Sequence, residues 1–410
     1  MPEAAPLLED YGVVVGSQMI DELKFLADRL GGRRVQHINS TAQGGGVAEI
    51  LNRLIPLFNQ LGLDTRWEVL EGNAPFFEMT KKVHNALHGE PERFSRKDFR
   101  VYLECNAENL KRLTLDGDAV FIHDPQPAAF VESRRKWGGR WVWRCHVDVS
   151  APQMNAWRFL ERFINRFDAA IFSAPQFAQR LSIRQFLIAP SIDPLSEKNR
   201  ELTTEEVDRA MDQLQIPRDK PIVTQVSRFD RLKDPVGVIE AFRIVKKSVD
   251  ARLVLAGGGA SDDPEGAEVL AQVRQRAGND PDILILELPP GSNLQINAIQ
   301  RASAVVVQKS LREGFALTVT EALWKGKPVV ASAVGGIPLQ IAHKYGGMLC
   351  HSVEGAAHRI KQLLNSPGFA ERLGKNGREH VRQNFLLTRH LKEYLLLMLA
   401  LESGQDVTFL

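Results

Sequence analysis

The sequence is poor in cysteine, has no excess charge of either sign, and contains no long apolar run. Its three cysteines, Cys105, Cys145 and Cys350, lie far apart and form no CxxC pair. That excludes a dense disulfide framework, and a reducing compartment is the simplest reading. Lys and Arg number 52 against 50 Asp and Glu, a net charge of +2, so nothing global attracts nucleic acid. A local cluster of cations can still bind a phosphorylated small molecule. No segment approaches the ~18 consecutive apolar residues that cross a bilayer. Met1–Pro6 lacks the basic start and apolar core of a secretory signal. The expectation is a cytoplasmic protein with no membrane or nucleic-acid partner. Internal repeats and low-complexity tracts are also missing.

What is present is ordinary for a globular protein. Hydrophobic residues make up 44% and charged residues 25% of the 410, a length suited to two or three domains. Short apolar runs alternate with helical stretches, as in parallel sheets buried on both faces. In the first half, strands are expected at 34–38, 66–70, 119–122, 140–143 and 169–172, with a helix over 47–61 that Pro56 is expected to kink. Ala189–Ser196 carries two prolines and no period and reads as a linker ahead of a polar helix. The alternation then restarts, with strands at 221–226, 252–256, 283–286, 304–307 and 328–331 and a helix over 235–248. Two such series imply two doubly wound α/β domains. The apolar stretch 388–401 is expected to dock as a helix, with a loose tail after it.

The polar segments that stand out all follow predicted strand ends, where ligands bind in open α/β sheets. Asn39–Glu49 places Gly44, Gly45 and Gly46 between a strand and a helix. That suits a phosphate or sugar oxygen close to the backbone, or a plain tight turn. In His123-Asp124-Pro125-Gln126-Pro127, two prolines stiffen a loop from which His123, Asp124 and Gln126 could hold acceptor hydroxyls; Asp124 could equally cap a helix. In Arg144-Cys145-His146-Val147-Asp148, an extended backbone would aim His146 and Asp148 the same way. They could be a base with its orienting partner, or two metal ligands lacking a visible third. Arg228 and Lys233 lie five apart in one loop, a fork and a point charge for phosphate, or else a solvated basic loop paired with Asp230 and Asp234. Glu313 and Glu321 lie eight apart around a glycine turn. Each carboxylate can accept from a vicinal diol, Glu313 from a hexose and Glu321 from a ribose. The backbone N–H groups around Phe315, Ala316, Leu317 and Thr318 would face a diphosphate. A cap and an exposed helical carboxylate are the plainer alternative. Gly257–Asp263 could touch a nucleotide base or be only a turn, and Lys309 could reach the site.

Taken together, the glycine loop, the His after a Trp-rich strand, Arg-x4-Lys and Glu-x7-Glu resemble the retaining nucleotide-sugar glycosyltransferases of the GT-B fold, which include sucrose and glycogen synthases. His37–Glu49, His84–Gly89, His123–Pro127, Arg144–Asp148 and Pro190–Leu195 are similar to the trehalose synthases of the glycosyltransferring type. Related trehalose phosphorylases share several of these segments. The resemblance runs from about Asp10 to about Ala400. It implies two Rossmann-like domains facing across a cleft: an acceptor domain over 1–193, a nucleotide-sugar domain over 194–384, and a segment 385–410 crossing back to the first. It implies glucose transfer from ADP- or UDP-glucose to free glucose, giving α,α-trehalose. His146 would stand near the reacting carbon, Arg228 and Lys233 at the departing diphosphate, Glu313 at the donor glucose and Glu321 at the ribose. No cofactor or metal is required on this reading, and a homodimer is compatible with it. A phosphorylase using inorganic phosphate and a non-catalytic sugar-nucleotide sensor are the alternatives.

Overall fold

The structure is a computed structural model and describes residues 6–42, 46–258 and 264–403. Twelve strands of these residues form two six-stranded sheets, parallel throughout. The chain divides into two units, Met1–Pro190 with Leu387–Leu410, and Ser191–Leu386. These breaks fall a few residues from 193/194 and 384/385. Ile192 bridges Leu386 in the second unit and its N–H donates to Phe385 O at 2.9 Å, which ties both crossing segments there. In the first unit, Arg389 donates to Ala189 O at 2.9 Å and Pro190 O at 3.1 Å.

The first sheet contains β1 (Arg34–Asn39), β2 (Asp64–Val69), β3 (Ala119–His123), β4 (Arg140–Arg144), β5 (Ala169–Phe172) and β6 (Arg184–Leu187), in the order β2-β1-β3-β4-β5-β6. Its two faces differ in character. Trp143 meets Trp157 of the helix Met154–Ile164 on one face. On the other, His37 and Phe121 stack beneath Phe58 of the helix Gly46–Gln60 and Tyr394 of the helix Leu387–Ser403. That last helix is the expected apolar one, and it also packs on the helix Ser17–Asp28.

The second sheet contains β7 (Ile222–Val226), β8 (Arg252–Gly257), β9 (Ile283–Glu287), β10 (Val305–Gln308), β11 (Val329–Ser332) and β12 (Met348–Cys350), in the order β12-β11-β10-β7-β8-β9. Counted from β7, this is the Rossmann order 3-2-1-4-5-6 read backwards. Alternation along β8 shows the double winding. Leu253 and Leu255 enter one core cluster with Val238, Phe242 and Ile360, and Val254 and Ala256 enter another with Met211 and Ile299. Strands buried on both faces are continuous apolar runs for this reason.

Each sheet reverses its winding at one place, between β1 and β3 in the first and between β7 and β10 in the second. A crevice opens beyond the strand ends where the order reverses. The loops leaving β1 and β3 carry the glycine segment and His123–Pro127. Those leaving β7 and β10 carry Arg228–Asp234 and Lys309–Ala316.

Candidate active site

In the second unit, the loop after β7 is drawn close to the sheet. A Cβ on Gly257, at the end of β8, would lie 1.7 Å from Ser227 O, so only glycine permits this approach. Asp230 Oδ1 accepts from Leu232 N–H at 2.7 Å and caps the short turn Arg231–Lys233. Asp234, at φ 49°, caps the next helix through Gly237 N–H at 3.0 Å and pairs with Lys309. Lys233 Nζ donates to both oxygens of Glu313, at 2.7 and 2.6 Å. Ser310 Oγ donates to the same carboxylate at 3.0 Å. Arg228 is half-exposed, and its only ion pair among the described residues is a loose one with Asp230 Oδ2 at 3.4 Å. Lys233 is thus not the solvated lysine of the plainer reading; its partner is the sugar-holding candidate Glu313.

The loop after β10 is equally constrained. A Cβ on Gly335 would fall 1.6 Å from Glu313 O, and Gly336 N–H donates to Gly314 O at 3.0 Å. Gln340 is buried; it donates to Phe315 O and accepts from Thr320 Oγ1 at 2.6 Å. Phe315 packs edge-on to Phe385 at 5.5 Å. Ala316 adopts φ 72° as the cap of the helix Leu317–Trp324. Helices leave their first N–H groups without internal partners, and no described residue accepts from those of Ala316, Leu317 or Thr318. An anion is therefore favoured here by both hydrogen bonding and the helix dipole. Glu321 differs from an exposed helical carboxylate. It is fully buried and paired with Lys198 Nζ at 2.9 Å.

In the first unit, Asn39 closes β1, accepting from Trp67 Nε1 at 2.8 Å and donating to Thr41 O at 2.7 Å. Gly44 and Gly45 lie outside the described residues; Gly46 opens the helix Gly46–Gln60. Asp124 sits at φ 65°, its carbonyl taking Trp143 Nε1–H at 3.0 Å. Tyr102 OH donates to Pro125 O at 2.6 Å and Asn106 to Gln126 O at 3.1 Å, so the loop is held from several directions. Asp124 Oδ1 accepts from the backbone N–H of His146 at 2.8 Å. Burial pushes the Asp124 carboxyl up to about 7, against the opposing pull of that N–H and of Arg144.

His146 and Asp148 do not pair. β4 ends at Arg144, and Asp148 Oδ1 instead accepts from Ser150 N–H at 2.9 Å and Oγ–H at 2.6 Å, a local turn. His146 Nε2 lies 3.0 Å from His123 Nδ1, and His123 Nε2 lies 3.0 Å from His37 Nδ1. Burial lowers the basicity of all three rings, His37 to about 3. Arg144 is buried beside them with no hydrogen-bond partner among the described residues.

Every described candidate follows the carboxyl end of a strand. Arg228, Lys233 and Glu313 lie at the winding reversal of the second sheet, with Phe315 to Thr318 at the adjoining helix start. Asp124 and Gln126 lie at that of the first sheet, and His146 and Asp148 follow the neighbouring β4. Residues not singled out from sequence are Ser310 on Glu313, Lys198 on Glu321, and the innermost histidine, His37. Lys198 carried no signal, since it sits in an irregular segment. His37 carried one, since it occupies a buried strand beside a flagged loop; His123, expected to project toward acceptor hydroxyls, is instead buried at the end of β3, with its ring nitrogens on His37 and His146. The segment 259–263 lies outside the described residues. Among those described, no group of three His, Cys, Asp or Glu is placed to hold a metal ion, and no helix is long and apolar enough to cross a membrane.

Known proteins share this architecture. Residues 37–179 match the family described as trehalose synthase, N-terminal domain, and residues 206–380 match glycosyl transferases group 1. The chain is 43% identical over 394 residues to the trehalose synthase of Pyrococcus horikoshii, covering 95% of each. It is 27% identical to a trehalose phosphorylase of Pleurotus pulmonarius, covering 98% of this chain and 62% of that one. Among solved structures, an α,α-trehalose-phosphate synthase (UDP-forming) of Burkholderia vietnamiensis superposes with a TM-score of 0.73 at 16% identity, covering 91% of this chain and 99% of that one. With two Rossmann-like units of the GT-B type and this likeness along nearly its whole length, the chain belongs to the trehalose synthase family of glycosyltransferases.

Proposed function

We propose that the protein transfers glucose from a nucleoside diphosphate glucose, ADP- or UDP-glucose, to free glucose, with retention at the anomeric carbon, giving α,α-trehalose in a reversible reaction. The observation that carries this reading is the cation and N–H cluster at the winding reversal of the second sheet. Arg228, Lys233 and the N–H groups of Ala316, Leu317 and Thr318, which have no acceptor among the described residues, together suit a diphosphate. As the glycosidic bond to the diphosphate breaks, negative charge grows on the leaving oxygens. Fixed cations and N–H dipoles stabilise that charge more in the transition state than in the ground state. No metal ion or cofactor is required for that role.

Glu313 is proposed to hold the donor hexose. Its charge is matched by Lys233, and an arriving diphosphate offers Lys233 a second anionic partner. Glu321 is proposed as the ribose acceptor, with Lys198 as the cation it already holds. In the first unit, Asp124 and Gln126 are proposed to take acceptor hydroxyls, and His146 to contact the donor sugar. Retention by front-face attack, with a leaving phosphate oxygen taking the acceptor's proton, needs no protein nucleophile. A covalent glucosyl adduct trapped on a side chain would exclude that route.

The test is a donor screen with free glucose as acceptor, the product identified by NMR. The reading expects α,α-trehalose and free nucleoside diphosphate from ADP- or UDP-glucose. Donor binding without turnover on any acceptor would instead make the protein a sensor.

A further inference from the structure

Three histidines of the first unit form a chain of which the proposed reaction uses only the outer end. In the β1–β3 register His37 lies opposite Phe121, two residues before His123, so all three side chains share one face. His37 stacks on Phe121 at 4.9 Å between ring centroids, and His123 stacks on His146 at 5.3 Å. His37 and His123 are buried and His146 is partly exposed. The two ring-to-ring contacts are each 3.0 Å, His37 Nδ1 to His123 Nε2 and His123 Nδ1 to His146 Nε2. Burial disfavours the imidazolium in all three, as does Arg144 beside the outer two, so the chain is built of neutral rings.

A neutral ring carries one N–H and one lone pair. Two contacts in series then admit only two self-consistent arrangements. With the protons pointing inward, His146 donates to His123 and His123 to His37, and His37 keeps an Nε2–H. With the protons pointing outward, His37 donates to His123 and His123 to His146, which carries its proton on Nδ1. The inner end decides between them. His37 Nε2 is buried and no described residue is its partner. An N–H orphaned there is the rarer and costlier defect than an unused lone pair.

We propose that His123, backed by His37, is a positioning residue that fixes His146 as its Nδ1–H tautomer and so presents a hydrogen-bond donor to the sugar. This rests on the reading in which His146 meets the donor sugar. An imidazole side chain in water favours Nε2–H, so the chain imposes the less common form. The arrangement also excludes His146 as a general base through Nδ1, since that nitrogen has no lone pair to offer.

The experiment uses the full chain labelled with ¹⁵N-histidine, free of substrate and above pH 7, read by long-range ¹H–¹⁵N correlation. His146→Gln assigns the His146 signals by their loss. The wild-type protein is expected to show His146 protonated at Nδ1 and accepting at Nε2. His123→Phe is expected to release it to Nε2–H or a mixture, with turnover down on the order of tenfold or more, the usual scale when a group orienting a functional histidine is lost. An Nε2–H His146 in the wild type would overturn the proposal, and so would an unchanged tautomer in a folded His123→Phe. Should that variant not fold, the wild-type spectrum still decides. Because the tautomer is read without substrate, failure to form trehalose would sink the reaction and leave this result standing.

Discussion

At the residue scale, most of the proposed chemistry rests on charges that are already matched. Lys233 and Glu313 neutralise each other, so removing either leaves the other uncompensated at a largely buried position. Glu313→Ala and Arg228→Ala are each expected to lower turnover by on the order of a hundredfold, the scale for losing a charge-stabilising group. Initial rates at saturating donor and acceptor check this, and near-wild-type rates would count against both roles. Asp124 makes a separate prediction. With its carboxyl pushed up to about 7, it accepts as a carboxylate above that pH and becomes protonated below it. kcat/KM for glucose should therefore fall as pH drops through about 7 in the wild type, and Asp124→Asn should lose that inflection. The place of Arg228, Lys233 and Glu313 in loops after strand ends was legible because strand, glycine and helix signals bracket those loops in sequence. Pairing was less so. His146 with Asp148 was inferred from extended geometry, but the strand stops at Arg144 and Asp148 turns to Ser150. His146 with His123 depends on how β3 lies beside β4.

At the element scale, the loops that carry the site are shaped by close backbone approaches. Gly257 and Gly335 allow Ser227 and Glu313 to lie where a Cβ would otherwise stand. Gly257→Ala is expected to cost about 1–3 kcal/mol, the range for forcing an atom into a packed site, and to weaken donor binding as the Arg228 loop shifts. Denaturant unfolding and donor titration on the one variant measure both; a stable protein with unchanged donor affinity would contradict it. All ten expected strands are present within a residue or two, since double-sided burial writes itself as Val, Ile, Leu and Ala runs. The edge strands β6 and β12 were not legible. Arg184–Leu187 is only alternately covered and Met348–Cys350 is three residues long, so neither makes an apolar run. The order of strands was not legible either, because the winding reversal that gathers the candidate loops is a property of pairing between segments far apart in sequence.

At the scale of the whole molecule, buried histidines make stability depend on pH. His37, His123, His146 and His390 are all held neutral by burial. Unfolded, each would take up a proton near pH 6.5. Below that pH the unfolded chain binds more protons than the folded one, so this stability is present above 6.5 and lost as pH falls, by about 1.4 kcal/mol per pH unit for each histidine. Asp124 and Glu393, whose carboxyls burial raises, oppose that slope but are fewer. Unfolding midpoints should drop steeply from pH 7 to 5, and a flat profile would contradict it.

Glucose transfer through a nucleoside diphosphate, rather than through phosphate, is tested most directly by running the reaction backwards. The protein is incubated with α,α-trehalose and, separately, ADP, UDP or inorganic phosphate, and the sugar products are identified. Cleavage with ADP or UDP, giving glucose and the matching nucleoside diphosphate glucose, is the predicted result. Cleavage only with phosphate, releasing glucose 1-phosphate, would contradict it.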